Sequence, residues 1–200
     1  MAKDTIEGQL DIFAVIDAAD REERAKDLPI HFTTDPTLTP DDLADARQVW
    51  IDRHGRMGVM PLSHMWHPAI VGPYGTHGPH SAYAVTADLR CRHFSPETCV
   101  CPGDLIDRIY CAECQWWTGI YANESHAAVD YLDHCWPGWR DLPVLPEGGP
   151  DRPIKIPKDY PEEWNVPGAP VLIDGGADRK AAVWGRSPLG GYDVSLDAID

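Results

Sequence analysis

The chain has few positive charges and no long apolar run, and both shortages exclude classes of protein. Its 17 Lys and Arg residues face 32 Asp and Glu residues, which gives a formal net charge of −15 at pH 7. Because nucleic-acid phosphates repel so acidic a chain, no direct nucleic-acid binding is expected. No stretch reaches the roughly 18 apolar residues of a membrane span, and the first residues lack the pattern of a secretory signal. We therefore expect a cytoplasmic protein with no membrane partner.

Catalytic signatures are also missing. No glycine-rich phosphate loop follows a predicted strand, and Ser63, Ser81 and Ser95 lie in no nucleophile motif. No carboxylate stands at a fixed interval that would support a catalytic triad. The sequence therefore favours a non-enzymatic protein.

What the chain does have is a cluster of cysteines, because all six lie within residues 91–135. Cys99-Val-Cys101 is followed at short range by Cys111-Ala-Glu-Cys114. This is the spacing by which two tight turns direct four thiolates at one tetrahedral zinc ion. In a reducing compartment such cysteines are metal ligands rather than disulfides. The sequence therefore predicts a Zn²⁺ site with no open position, which makes it structural.

The ligand set stays open at this point. A predicted helix that follows the second cysteine turn ends in His134-Cys135, and helices in this zinc-finger layout supply one or two ligands. His134 could therefore displace one member of the first pair, and Cys91 or His93 could do the same. Cys135 is interpreted as a small buried apolar residue. The predicted ligands are Cys99, Cys101, Cys111, Cys114 and His134.

A candidate docking peptide lies near the N-terminus. It consists of Gln9, Leu10, Asp11, Ile12 and Phe13, and it resembles the short peptide by which bacterial proteins dock on the DNA polymerase sliding clamp. In such peptides the apolar side chains fill a preformed pocket while the glutamine hydrogen-bonds beside it. The alternative is the first turn of an amphipathic helix packed on its own core, since the apolar pattern continues.

Two H-x₂-H pairs offer a different interpretation. They are His64 with His67 and His77 with His80. Read as chemistry, they form a second metal site or a general base with its partner, and the protein would be a metal-dependent hydrolase or nuclease. Read structurally, they are polar residues of a loop rich in Gly and Pro. A third hypothesis uses the negative charge, which suits an acidic, DNA-mimicking inhibitor of a host nucleic-acid or defence enzyme.

Periodicity and turn residues predict an α+β fold. The predicted helices run over 9–27, from Thr39 or Asp41 to about Gly55, and from Asn123 to about Cys135. The predicted strands run over 81–92, 105–110, 171–173 and 181–184. We expect two N-terminal helices, a small sheet with a treble-clef-like zinc core, and a proline-rich C-terminal wrap. The predicted division is 1–30 for docking, 31–145 for the zinc core and 146–200 for the wrap.

Tryptophan is abundant where phenylalanine is scarce, with 8 Trp residues against 3 Phe residues. Such side chains are large anchors for a small core or contact residues for a partner. Trp116-Trp117, directly after the second cysteine turn, is interpreted as the apolar floor between helix and strands.

Several motifs together resemble a family of small proteins from actinobacteria and their bacteriophages. They include Ser-His-Met-Trp-His-Pro from Ser63 and Asp-His-Cys-Trp-Pro-Gly-Trp-Arg from Asp133. The resemblance implies a phage or prophage origin and host replication or defence machinery as partner, in a bacterial or infected host cell. It also strengthens His134 as a ligand and weakens Cys135.

Overall fold

The structure is a computed structural model that describes residues 12–55, 64–69, 78–90, 103–146, 154–174 and 187–195. The chain divides into two compact units, Met1–Met65 and Trp66–Asp200. Their described parts contain three α-helices and two small sheets, which confirms a mixed α/β fold. Every helix in these parts is too short or too polar to cross a membrane. The three-part division inferred from composition stays a prediction.

The first unit contains helices α1 (Ile12–Arg24) and α2 (Pro40–His54). Thr39 begins α2 with a capping box, because its hydroxyl accepts the Asp42 N–H at 3.2 Å and the Asp42 carboxylate accepts the Thr39 N–H at 2.8 Å. The buried face of α2 consists of Pro40, Leu43, Ala46, Val49 and Ile51. Both the start and the end of this helix agree with the sequence prediction.

Ion pairs connect the two helices of this unit. Arg24 contacts Asp45 at 2.8 Å, and Arg53 contacts Glu22 at 3.0 Å. No residue of α1 is buried. The described α1–α2 contact therefore includes surface ion pairs and no fully buried residue of α1.

The second unit is built on an antiparallel sheet in the order β1-β2-β3-β4. Its strands are β1 (His67–Pro68), β2 (Ala82–Asp88), β3 (Leu105–Cys111) and β4 (Trp116–Trp117). In the central pair, Ala82 lies opposite Cys111 and Asp88 lies opposite Leu105. The start of β2 therefore lies beside the end of β3, where the second cysteine turn begins.

Helix α3 (Glu124–Cys135) packs against β3. Asn123 caps it by accepting the Ser125 N–H at 2.9 Å. Its buried face continues to the last turn through Ala127, Ala128, Tyr131, Leu132 and Cys135. The chain then turns at Gly138, whose φ of 91° suits glycine, into a 3₁₀ turn over Trp139–Asp141. Asp133 ties this turn to the helix by accepting hydrogen bonds from Trp139 Nε1 at 2.9 Å and from Arg140.

The C-terminal part of the chain contains a second, parallel sheet, and one of its strands lies where the sequence predicts a strand over 171–173. Its strands are β5 (Val144–Pro146), β6 (Val171–Asp174) and β7 (Asp193–Ser195), in the order β5-β6-β7. Val144 lies opposite Leu172, and Val171 lies opposite Asp193. The strand predicted over 181–184 lies outside the described residues. The C-terminal part of the chain therefore builds the core of the second unit and does not merely cover it.

Tryptophans serve mainly as buried anchors, since Trp66, Trp117, Trp136 and Trp139 are all at most 7% exposed. Two of them enclose a buried arginine: the Arg108 guanidinium carbon lies 3.8 Å from the Trp117 ring centre and 4.7 Å from that of Trp66. Such stacking stabilises a cation that burial would otherwise destabilise.

Candidate metal centre

The second cysteine turn joins β3 to β4. Cys111 is the last residue of β3, and Cys114 lies in the turn that follows. Gln115 adopts a positive φ of 50°, which reverses the chain into β4. Cys111 is buried and Cys114 is exposed, so the turn presents one thiol to the core and one toward its surface.

A third thiol comes from the end of α3. Cys135 lies one turn after Tyr131 and continues the face that packs on the sheet, so its Sγ reaches the cysteine turn. The residue before it, His134, is exposed and stacks on Trp116 with ring centres 4.0 Å apart. Neighbouring positions on a helix differ by about 100°, which explains why one residue faces the core and the other does not.

His80 is the fourth member. It lies two residues before β2, beside the end of β3, and its Nδ1 is 3.5 Å from Cys111 Sγ and 3.6 Å from Cys114 Sγ. The four ligand atoms all lie within 4.8 Å of one another. We call this set the ligand cluster: His80, Cys111, Cys114 and Cys135.

The separations fit a tetrahedral ion. Zinc–sulfur bonds of about 2.3 Å and a zinc–nitrogen bond of about 2.0–2.1 Å place sulfur and nitrogen roughly 3.6 Å apart across a tetrahedron. The two nitrogen–sulfur distances in the ligand cluster, 3.5 and 3.6 Å, are close to this value. The residues present are therefore compatible with a metal site.

Burial makes the thiols poor acids on their own. It raises the pKa of Cys111 and that of Cys135, and the neighbouring thiols Cys111 and Cys114 raise the pKa of Cys135 further. A divalent cation among them would offset this cost, since it stabilises thiolates directly. The cluster is therefore costly to ionise without a cation.

Further polar contacts surround the cluster. Glu113 accepts hydrogen bonds from the Ser81 N–H at 2.5 Å and from Ser81 Oγ at 2.7 Å. Partial burial raises the pKa of Glu113, but the hydrogen bonds from Ser81 outweigh it, so the pKa lies below its usual value. Tyr131 Oη donates to the His80 carbonyl at 3.1 Å.

The C-terminal segment closes the other side of the histidine loop. A Cβ at Gly78 would overlap the Pro167 carbonyl oxygen, so only glycine fits there. The Trp136 ring meets His80 edge-on at 5.5 Å and contacts the Trp164 ring at 5.8 Å. The loop that carries His80 is therefore packed from several sides.

The structure brings together part of the predicted ligand set. Cys111 and Cys114 lie in the ligand cluster, whereas Cys99 and Cys101 lie outside the described residues. His134 stacks on Trp116 instead. Cys135, interpreted as an apolar core residue, and His80, interpreted as a loop residue, complete the cluster. The helical spacing from Tyr131 to Cys135 was a sequence signal for Cys135. The pairing of β2 with β3 explains the position of His80.

The described histidines of the two pairs other than His80 are His64 and His67, and neither belongs to the ligand cluster. His67 Nδ1 lies 3.0 Å from the carbonyl oxygen of its neighbour Pro68, and His77 lies outside the described residues. Within the described ranges, the ligand cluster is the only group of three or more potential ligand side chains, and it contains neither His64 nor His67. The structure therefore gives no geometric support to a second metal site there.

The docking peptide is described in part. Ile12 and Phe13 form the start of α1 and are 64% and 75% exposed, while Gln9, Leu10 and Asp11 lie outside the described residues. Val15 and Ile16, which continue the apolar pattern, are also about half exposed, at 51% and 49%. The described part of this segment therefore presents apolar surface to solvent.

Comparison with known proteins places the chain in a family. No curated protein and no solved structure matches it. A family model described as a family of unknown function (DUF6349) matches residues 27–200, a span that contains the whole ligand cluster and leaves α1 outside. This agrees with the uncharacterised family expected from the motifs, although the organism range stays a prediction. The chain belongs to the DUF6349 family.

Proposed function

We propose that the ligand cluster holds one structural zinc ion in a treble-clef-like site. The observation that carries the proposal is the convergence of one imidazole and three thiols, from the loop before β2, the β3–β4 turn and the end of α3. Soft thiolates with an imidazole suit zinc rather than magnesium or calcium. Because all four positions are filled by protein, no position remains for a substrate, so the ion would stabilise the fold rather than catalyse a reaction.

The choice between two histidines tests this assignment. The His80→Ala variant should lose tightly bound zinc, whereas His134→Ala should retain one ion per chain, since His134 contacts Trp116 and not the cluster. Elemental analysis of the purified variants measures the difference. Retention by His80→Ala together with loss by His134→Ala would overturn the ligand assignment, and absence of metal from the wild type would overturn the site.

We further propose that the protein is a non-enzymatic adaptor that docks on the bacterial DNA polymerase sliding clamp. Two observations support docking by the segment from Gln9 to Phe13: the exposure of Ile12 and Phe13, and the position of α1 ahead of the family-matched region. A side chain already packed in its own core could not enter a partner's pocket without unfolding that core. The bacterial cytoplasm, natural or phage-infected, is the compartment that this proposal requires.

Binding of a purified bacterial sliding clamp tests the docking proposal. The Phe13→Ala variant should lose roughly 2 kcal/mol or more of binding free energy, because it removes the largest anchor. Ile16→Ala, in the same helix but outside the peptide, is the matched control and should bind as the wild type does. Equal binding by Phe13→Ala and wild type, or no binding by the wild type, would overturn the proposal.

The other two hypotheses receive less support. In the helix pair, Glu22, Asp45 and Asp52 each contact an arginine, so these three carboxylates already have cationic partners. A DNA mimic needs carboxylates free to meet a partner's cations. His80 belongs to the ligand cluster, which removes one histidine from the proposed hydrolase site.

A further inference from the structure

The position of His80 needs an explanation, because the residue lies in neither a helix nor a strand. Residues 78–81 form an irregular approach to β2, which begins at Ala82. The thiols, by contrast, are placed by a strand end, a tight turn and a helix end. Groups that hydrogen-bond to the surroundings of a ligand help to orient it and strengthen metal binding.

The cysteine turn provides such contacts through Glu113. Both carboxylate oxygens are used, one by the Ser81 N–H at 2.5 Å and one by Ser81 Oγ at 2.7 Å. The same turn donates a third hydrogen bond, from the Ala112 N–H to the Ser81 carbonyl at 3.1 Å. The residue next to His80 is therefore attached to the turn that carries two of the thiols.

Helix α3 provides a contact from the other direction. Tyr131 is buried, and its hydroxyl donates to the His80 carbonyl at 3.1 Å. One turn later the same helix supplies Cys135. The cysteine turn and α3 thus each contribute both a thiol to the ligand cluster and a hydrogen bond to the backbone around His80.

We propose that Glu113 is the positioning residue of the metal centre, which fixes His80 as the fourth ligand through its paired hydrogen bonds to Ser81. The inference rests on the proposed zinc site. Glu113 is not itself a member of the ligand cluster, although its Oε2 accepts a hydrogen bond from the Cys111 thiol at 3.8 Å. A metal-bound Cys111 is a thiolate and cannot donate this bond, so the two bonds to Ser81, beside His80, are the contacts of Glu113 that would remain in the metal-bound centre.

Substitutions at the two ends of this contact make the proposal measurable. Glu113→Ala removes both acceptors and should weaken Zn²⁺ binding by about 10- to 100-fold, the usual cost of losing such a supporting group. Ser81→Ala removes only the hydroxyl and should cause a smaller loss. Glu113→Gln should restore most of the affinity, because an amide can accept the Ser81 N–H and donate to Ser81 Oγ. Glu163→Ala, an exposed change in the same unit, is the control.

A double-mutant cycle distinguishes positioning from general stabilisation. Zn²⁺ affinity is measured by competition with a chromophoric chelator for wild type, His80→Ala, Glu113→Ala and the double variant. If Glu113 acts through His80, its removal costs nothing further once His80 is absent. Fully additive losses would overturn the proposal, and so would a Glu113→Gln variant as weak as Glu113→Ala.

The Co²⁺-loaded proteins give a second readout. Glu113→Ala should shift the visible bands of tetrahedral Co²⁺ toward those of His80→Ala, whereas Glu163→Ala should not. If Glu113→Ala does not fold, Ser81→Ala carries the same comparison, and wild-type affinity in that variant would overturn the proposal. A wild type that binds no metal refutes the zinc site itself, whereas a wild type with one ion and an unaffected Glu113→Ala variant refutes only the positioning role.

Discussion

Helices α1 and α3 are both amphipathic by sequence, but they use their apolar residues in opposite ways. In α3 the apolar face is buried through to Cys135, and Leu132 is fully buried. In α1 no residue is buried, and each apolar side chain at its start exposes about half or more of its surface to solvent. Periodicity therefore predicts which residues share a face but not whether that face meets a core. The difference between the two helices is that α3 packs on a sheet and carries a member of the ligand cluster.

Metal removal should produce the largest contrast between the two units. Binding of structural zinc in small fingers contributes on the order of 10 kcal/mol, and much of that energy is coupled to folding. Chelation should therefore lower the melting temperature of the second unit strongly and increase solvent access to Trp139, while amide exchange in α2 stays unchanged. Thermal melts followed by tryptophan fluorescence, with hydrogen exchange on the same samples, measure both effects.

Identical melting with and without the chelator would contradict this prediction. A loss of protection in α2 equal to that in α3 would also break the contrast, because it would show that the two helices depend equally on the cluster.

The next largest change in stability is expected from truncating one apolar residue in each helix. Leu132→Ala should cost about 2–5 kcal/mol of unfolding free energy, because it leaves a cavity in the core. Ile16→Ala, at a half-exposed position of α1, should change it by no more than about 0.5 kcal/mol. Urea denaturation measures the free energy of unfolding of both variants. Equal costs would mean that α1 is packed as tightly as α3.

At the end of α3, Asp133 makes a pH-dependent contribution to the free energy of unfolding. Hydrogen bonds from Arg140, and then from Trp139, hold the pKa of Asp133 below its usual value of about 3.9. A carboxylate with a lowered folded-state pKa stabilises the protein above its unfolded pKa, and this stabilisation is lost as pH falls through the folded pKa. Asp133→Asn should therefore cost about 1 kcal/mol at neutral pH, since the pair is partly exposed and screened.

The difference between wild type and Asp133→Asn should disappear in acid below the folded pKa of Asp133. Asp141→Asn, the same charge change at an exposed position nearby, is the matched control. A cost that is independent of pH would show that the charge of Asp133 is not what stabilises the helix end.

The smallest effect is expected in the ion pairs of the first unit. Asp45→Asn removes the partner of Arg24, whose side chain is 60% exposed. The expected cost is about 0.5 kcal/mol at low salt and close to zero at about 1 M salt, because exposed pairs are weak and screened. Denaturation at the two salt concentrations measures it. A cost above about 1.5 kcal/mol that persists in salt would show that this pair is effectively buried.

Local signals were enough to predict the three helices and three of the seven strands in the described residues, namely β2, β3 and β6. Thr39, Pro40 and Gly55 mark the ends of α2, Asn123 marks the start of α3, and the cysteine turn follows directly from its C-x₂-C spacing. These features depend on neighbours within a few residues. For the same reason two cluster members, Cys111 and Cys114, were identified from the sequence alone.

The other two cluster members depend on tertiary structure. His80 meets the turn only because β2 pairs with β3 in the register that places Ala82 opposite Cys111, a contact across some thirty residues. The choice of Cys135 over His134 depends on which face of α3 meets the sheet. The parallel pairing of β5 with β6 was also missed, since a three-residue strand that ends in Pro146 has no periodicity of its own.

Gly78 packs so closely on Pro167 that any side chain at Gly78 would overlap it. This contact limits how far the chain could be shortened while the ligand cluster keeps its geometry. The backbone two residues ahead of His80 rests directly on a segment almost ninety positions further along the chain. A fragment that ends after β5 would retain every residue of the ligand cluster. It would lose the segment around Pro167 that packs against the loop of His80. The geometry of the ligand cluster therefore depends on the C-terminal segment as well as on the elements that carry its four residues.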